Sequence, residues 1–376
     1  MSVSDEDPKV RIIIAGGGTG GHLFPGIAIA EEFLKRDGDT KILFIGTQRG
    51  IEGKLLGQLG YELGTIDIEG VKGRGLGALL KGAYQIPQSM WQSGCILRQF
   101  RPQIAIGVGG YASGPAILTA CLMGIPAVIA EQNAVPGITN RILGKFVNKI
   151  FVTYAQTQDW FSRSKVMVSG NPVRSVLTVV RDKKKEKSDI WNLLIFGGSQ
   201  GAAAINKSVV EMMPLLEPLK NKLRVLHQSG VRELKAVRQA YRQYGISAEV
   251  TPFIEDMAGA YAQADLIVCR AGATSLAEIT AAGKVPVLIP FPWAANDHQT
   301  KNAQALVEAG AAVLINERDL SGSRLFSVIE SLLTDENKLG EMAQRSASLG
   351  NIRAAANIAD VCIELIAGKS SHKNIS

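Results

Sequence analysis

The 376 residues are too many for one ordinary domain and enough for two. With 46% apolar and 20% charged residues, the chain can build sizeable cores, which excludes wholesale disorder. The net charge of +7 is uneven: Gly70 to Ser175 holds eleven Lys and Arg against Glu131 and Asp159, a net of +9 that leaves the rest at −2. One region therefore faces an anion: a nucleic acid, a phosphate-bearing ligand or an anionic membrane. Cys95, Cys121, Cys269 and Cys362 lie at neither metal-ligand nor disulfide-framework spacings, which fits a reducing compartment. Met1 to Asp7 is acidic, unlike a secretory signal. The longest apolar run, Ala116 to Ala130, is broken by Gly124 and Pro126 and falls short of the ~20 residues that span a bilayer.

In chain order, the strand-like runs are Val10–Ala15, Lys41–Ile45, Gln103–Val108, Ala127–Ala130, Lys149–Thr153, Trp191–Phe196, Arg224–His227, Asp265–Cys269, Val285–Ile289 and Ala312–Ile315. Several are almost wholly apolar, as parallel strands covered on both faces must be. Helical patterns alternate with them, so the fold class is α/β with doubly wound parallel sheets. Strand plus Gly-Gly-Gly-Thr-Gly-Gly (Val10–Gly21) is echoed by strand plus Gly-Gly-Ser-Gln-Gly-Ala (Trp191–Ala202), and each opens a Rossmann-like domain. The expected division is residues 1–174 and 175–349, with a cleft between them. Arg181–Asp189 forms a solvated loop, and a closing helix at about 350–367 is long enough to pack back on the first domain.

Three glycine loops follow strands: Gly16–Gly21, Gly107–Pro115 and Gly197–Ala202. Such loops bring backbone N–H groups and a helix N-terminus up to an anion. After the first, Leu23, Ile27, Ala30 and Leu34 mark one helix face, with Pro25 expected in the first turn. Gly16, Gly18 and Gly21 satisfy the dinucleotide pattern. The next strand, however, ends Phe44-Ile45-Gly46-Thr47-Gln48, without the acid that would hold a ribose. No Walker sequence is present. Three loops on two domains point to two phosphate-bearing ligands.

Asp265 to Glu278 reads as strand, short loop and helix start. Ala273, Thr274 and Ser275 could offer N–H groups to a diphosphate, and Glu278 could accept from ribose hydroxyls. Equally, Ser275-x-x-Glu278 is a capping box that needs no ligand. The polar cluster Pro290–Asn302 after a strand suits sugar hydroxyls, or is a loop with an N-cap before a helix at Gln304–Ala309. Asp37-Gly38-Asp39 resembles a metal-binding Asp-x-Asp, but it falls in the turn between the first helix and second strand, away from the ligand end of the sheet.

Together, Gly17–His22, Gly107–Pro115, Glu131-Gln132-Asn133, Gly170–Arg174, Gly197–Ala202, Arg270–Glu278 and Asp297–Asn302 resemble, in order and spacing, the MurG family. These are the peptidoglycan GlcNAc transferases that convert lipid I to lipid II. The resemblance covers nearly the whole chain up to about Ile366. It implies a two-domain GT-B fold and an inverting reaction without metal or other cofactor. UDP-GlcNAc is the donor and lipid I the acceptor, at the cytoplasmic face of the bacterial plasma membrane. It further implies donor contacts from Thr19, Gly20, Gly21, Asn133, Arg174, Ser199, the backbone of Ile254, the run Ala273, Thr274, Ser275, Leu276, Ala277 and Glu278, then Gln299 and Asn302. Gly109, Gly110, Tyr111 and Ser113 would line the acceptor diphosphate site.

Inversion by single displacement needs a base for the attacking hydroxyl and charge stabilisation for the leaving diphosphate. His22 is the first candidate base, because imidazole titrates near neutrality. Its alternative role is to orient the acceptor or bind phosphate. Glu131 is the second candidate. Lys72, Arg74 and Lys81 lie among Leu76, Leu79 and Leu80, followed by Trp91 and Phe100. That mixture suits peripheral contact with anionic lipid, or is the buried face of two solvated helices. The competing functions are a related transferase with another acceptor, a UDP-GlcNAc 2-epimerase, and a nucleic-acid binder. The Tyr111 loop disfavours the first, and the scarcity of cleft carboxylates disfavours the second. The absence of interleaved aromatics disfavours the third, so no nucleic-acid partner is expected.

Overall fold

The computed structural model describes residues 10–47, 52–69, 76–177, 189–198 and 201–373. The chain divides into two compact units, Met1–Ser175 with Arg353–Ser376, and Val176–Ile352. The Lys72 and Arg74 positions, most of the 181–189 loop and Ser199 lie outside the described residues, as do the side chains of Leu76, Leu79, Leu80 and Lys81.

Unit 1 runs β1 (Arg11–Gly16), α1 (Gly20–Arg36), β2 (Lys41–Gly46), α2 (Glu52–Gln58), β3 (Glu62–Thr65), α3 (Leu76–Phe100), β4 (Ile104–Gly109), α4 (Ser113–Leu122), β5 (Ala127–Glu131), α5 (Ile138–Leu143), β6 (Lys149–Val152) and β7 (Val166–Val168). Its sheet order is β3-β2-β1-β4-β5-β6-β7, all parallel. Alternating residues of β1 feed opposite cores, as the period of two requires. Ile12 and Ile14 join Leu23, Ile27 and Phe33 of α1, while Ile13 and Ala15 join Leu97 and Ile117. Ile358, Ala359 and Cys362 of the closing helix, Ala354–Lys373, complete the α1-side core.

Unit 2 runs β8 (Trp191–Phe196), α6 (Ala203–Met212), β9 (Leu223–Gln228), α7 (Leu234–Gln243), β10 (Ala248–Thr251), α8 (Met257–Gln263), β11 (Leu266–Cys269), α9 (Ala273–Ala281), β12 (Val285–Leu288), α10 (His298–Glu308), β13 (Val313–Leu314), α11 (Gly322–Leu333) and α12 (Glu336–Leu349). Its order, β10-β9-β8-β11-β12-β13, is again wholly parallel. The closing helix of unit 1 is α13.

Three strands were not expected: β3, β7 and β10. All three are sheet edges. Glu62 lies on β3 and Glu249 on β10, which breaks the apolar run, and β7 is apolar but only three residues long. Pro25 also sits differently. Because α1 begins at Gly20, inside the glycine loop, Pro25 lies within the helix and not in its first turn. Residues 76–100 form one helix with Pro87 inside, where two were considered. Within it Phe100 packs on the sheet-side core, whereas Trp91 is 70% exposed.

Candidate functional site

In each sheet the strand order reverses beside the first strand, between β1 and β4 in unit 1 and between β8 and β11 in unit 2. Loops leaving the carboxyl ends of strands at such a point diverge to opposite faces and leave a crevice for a ligand. All three glycine loops, and the Arg270–Glu278 segment, leave from these strands.

At the unit 1 switch point the two glycine loops touch. A side chain on Gly110 would place its Cβ 2.3 Å from the Gly17 carbonyl oxygen, and Gly110 has φ +85°, so only glycine serves there. A Cβ on Gly109 would lie 2.6 Å from His22 Cδ2, so the imidazole rests directly on that backbone. His22 sits in the first turn of α1. Its Nδ1 lies 3.3 Å from the Thr19 hydroxyl, which fixes the ring orientation from the N-cap position. Thr19 and Gly21 are exposed and Gly20 half-buried at this helix N-terminus, and Tyr111 is 57% exposed on the facing loop. Ser113 behaves otherwise: its side chain is fully buried, with Oγ packed beneath Gly107. Its hydroxyl makes no hydrogen bond within the described residues.

Glu131, buried at the end of β5, is a hub. Oε1 accepts from Asn133 N at 3.0 Å and Asn133 Nδ2 at 3.2 Å. Oε2 accepts from Gly137 N at 3.1 Å and Asn140 Nδ2 at 2.8 Å. Both oxygens accept hydrogen bonds that shape the segment carrying Asn133, at the residue considered second after His22 as a base. The Arg174 guanidinium lies 5.0 Å over the Phe24 ring. Beside it, Ser175 N and Oγ both donate to Glu31 Oε2 at 3.1 Å. Asp37-Gly38-Asp39 is a turn at the other end of the sheet, with Asp37 accepting from Asp39 N and the Thr40 hydroxyl. Among the described residues no group of three His, Cys, Asp or Glu could hold a metal ion.

In unit 2, α9 begins at Ala273 with Gly272 as N-cap. Ser275 is therefore inside the helix, and the capping-box reading fails. Glu278, one turn on, accepts instead from the Tyr261 hydroxyl at 3.1 Å. Ala273, Thr274 and Ser275 supply first-turn N–H groups at the carboxyl end of β11. Leu276 does not belong with them: its N–H donates to Gly272 O and its side chain is in the core. Ala277 is half-buried on the same helix. Gln299 Oε1 accepts from Phe291 N at 2.9 Å, and α10 starts at His298, earlier than expected. Asn302 is fully buried and donates to Ala271 O at 3.4 Å, bracing the β11–α9 loop from inside. The Ile254 N–H donates to Gln228 Oε1 at 2.8 Å.

Sequence reading missed the residues beneath the third glycine loop. His227, at the end of β9, is fully buried with Nε2 2.9 Å from Asn206 Oδ1 and Nδ1 3.2 Å from Tyr241 Oη. Burial pushes its pKa down to about 4, so the ring is neutral at pH 7. The only sequence signal was a His-Gln-Ser run ending an apolar strand.

Residues 12–152 match the glycosyltransferase family 28 N-terminal domain and residues 192–360 the glycosyltransferase family 28 C-terminal domain. A relative from Syntrophus aciditrophicus is 52% identical over 95% of this chain and 99% of its own. That relative is described as UDP-N-acetylglucosamine--N-acetylmuramyl-(pentapeptide) pyrophosphoryl-undecaprenol N-acetylglucosamine transferase. The crystal structure of Acinetobacter baumannii MurG superposes with a TM-score of 0.76 at 31% identity, covering 95% of this chain and 100% of the other. The chain belongs to glycosyltransferase family 28, within the MurG family. A putative UDP-N-acetylglucosamine 2-epimerase from Listeria monocytogenes also superposes, at TM-score 0.69 over 98% of both chains. Its 13% identity makes that a likeness of fold alone. The two family 28 domain matches fall one on each sheet, so each half of the transferase pattern has its own switch point.

Proposed function

We propose that this chain moves GlcNAc from UDP-GlcNAc to the C4 hydroxyl of MurNAc in lipid I, giving lipid II with inversion at the anomeric carbon. The observation that carries this reading is the pairing of glycine loops with helix N-termini at both switch points, with a histidine ring seated on one of them. Unit 2 takes the donor. The α9 N-terminus and the Gly197–Ala202 loop, Ser199 included, meet the diphosphate, and Glu278 meets the ribose. The Ile254 backbone meets the uracil, and Gln299 meets the sugar. Unit 1 takes the acceptor at the Gly109, Gly110 and Tyr111 loop, with Thr19, Gly20, Gly21, Asn133 and Arg174 completing the donor contacts.

In the reaction the acceptor oxygen attacks the anomeric carbon as the carbon–oxygen bond to UDP breaks. His22 accepts the hydroxyl proton, and its ring orientation is set by Thr19 and Gly109. Glu131 acts through Asn133, whose backbone and side chain it holds. Negative charge on the departing UDP is met by N–H groups and helix dipoles, and no metal or organic cofactor takes part. The Asp37–Asp39 run is placed at the wrong end of the sheet to serve a metal-bound diphosphate.

The acceptor's lipid places the chain at the cytoplasmic face of the plasma membrane as a peripheral protein. No described helix is long and apolar enough to cross a bilayer. Tyr84 and Trp91 of α3 are exposed, and so are Ile138, Ile142 and Phe146 in or after α5, which neighbour Arg141 and Lys145 in sequence. Such a mixture suits an anionic lipid surface. Transfer of label from UDP-[14C]GlcNAc to a short-chain lipid I analogue, with and without EDTA, tests the proposal. Equal labelled lipid in both supports it. UDP-ManNAc formation, or UDP release with no lipid product, overturns the reaction or the acceptor, and EDTA sensitivity overturns metal independence.

A further inference from the structure

The third glycine loop is seated on three consecutive residues at the carboxyl end of β9. Gly201, at φ +80°, approaches so closely that a Cβ there would lie 2.2 Å from the Ser229 carbonyl oxygen. Asn206, on α6 just beyond the loop, donates to that same carbonyl at 2.8 Å and meets His227 on its other side. Between them, Gln228 is 3% exposed and uses both ends of its amide. Nε2 donates to Gly198 O at 2.7 Å, and Oε1 accepts from Ile254 N at 2.8 Å. Gly198 O also accepts from Gly201 N at 3.0 Å.

One planar amide therefore spans two chain segments that share no sequence neighbourhood. The first is the turn after β8, and the second is the segment after β10 that carries Phe253 and Ile254. β8 and β10 are not adjacent; β9 lies between them, so only a side chain at its end can tie both. A primary amide suits the task, because it offers a donor and an acceptor about 2.3 Å apart in fixed geometry. The bond from Ile254 N is buried and sheltered from bulk water, and the bond to Gly198 O is partly so.

We infer that Gln228 is a positioning residue for the donor nucleotide. It sets the spacing between the turn that receives the diphosphate and the segment that receives the base. The inference rests on the donor assignment proposed above. A ligand that touches both segments, such as UDP, depends on the spacing; one that touches only the base segment, such as uridine, depends on it weakly. A carboxylate in place of the amide keeps the acceptor for Ile254 N–H but loses the donor to Gly198 O.

The test is calorimetric binding of UDP and uridine to wild type, Q228E and Q228L, with KM measured for UDP-GlcNAc and for a lipid I analogue. Q228E is expected to lose about tenfold in UDP affinity, the factor that one hydrogen bond of about 1.4 kcal/mol represents. Its uridine affinity stays within about twofold. Q228L, which lacks both bonds, loses affinity for both ligands. In both variants KM for UDP-GlcNAc rises while KM for the lipid analogue holds. If Q228L does not fold, Q228E decides by itself. Equal loss of UDP and uridine in Q228E, no loss of either, or a parallel rise in both KM values overturns the positioning role. A wild type that binds no UDP sinks the donor assignment itself, which is a separate result.

Discussion

At the β1/β4 switch point of unit 1 two glycine loops close directly on one another, Gly110 against Gly17 and Gly109 against the His22 ring. At the β8/β11 switch point of unit 2 the glycine turn instead rests on buried polar side chains, Gln228 and Asn206, with His227 behind them. The sheet order around the two points is the same. The difference lies in where titratable chemistry sits. In unit 1 a half-buried imidazole stands at the loop surface, while in unit 2 the imidazole is sealed beneath the loop and neutral. A site that must move a proton needs a group within reach of the ligand. A site that must hold a diphosphate needs rigid N–H groups, and buried polar networks supply that rigidity.

Four substitutions press on this contrast. The largest effect belongs to His22→Ala, expected to lower kcat by about 10²–10⁴-fold while UDP affinity stays unchanged. An unchanged kcat breaks the assignment of proton transfer to unit 1. Next, Gly110→Ala forces its Cβ onto the Gly17 carbonyl and strains a left-handed backbone. A loop displaced by about 1 Å costs about 100-fold in transfer, read as kcat with a lipid I analogue. An unchanged kcat would mean that the contact between the two loops does not set the reacting geometry.

His227→Gln sharpens the unit 2 half. The native pKa is depressed to about 4 from the ordinary 6.5, so the unfolded chain binds more protons between those values. Its contribution to stability is therefore complete above pH 6.5 and is lost as pH falls towards 4, about 2 kcal/mol of it by pH 5. Urea unfolding at pH 7 and pH 5 should show that the wild type loses this amount relative to the variant. Equal losses would place the ring outside the buried network. The smallest effect is Asp360→Asn, which breaks a partly exposed ion pair from α13 to Arg36 at 2.6 Å. About 0.2–1 kcal/mol is expected by urea midpoint, since Ile358, Ala359 and Cys362 hold α13 by burial. A larger loss would make the ion pair, and not the apolar face, the main anchor.

Most of the strands that could be read in advance are interior ones, because burial on both faces favours a short, nearly unbroken apolar run such as those within Arg11–Gly16 and Trp191–Phe196. Strands β3 and β10 could not be read, since an edge strand is free to carry Glu62 or Glu249, and β7 is too short at three residues to stand out. The glycine loops were equally visible, because close backbone approach permits no other residue. Polar residues were the weak point. Asn302 and Glu131 look like ligand-binding groups in a one-dimensional string, yet each is turned inward and hydrogen-bonded to a loop.

The sequence by itself determined the alternation of strand and helix, the three loops where only glycine fits, and the pattern of residues shared with the MurG family. These are local properties, written in apolar periodicity and in the steric demand of single positions. Tertiary structure alone decided which polar side chains face a ligand and which face the protein. That depends on the neighbours brought up by strand order: Tyr261 against Glu278, Ala271 against Asn302, and Ile254 with Gly198 against Gln228. An amide or carboxylate satisfies its hydrogen bonds with whatever partner the fold places within about 3 Å, and sequence spacing carries no record of partners that lie on other strands.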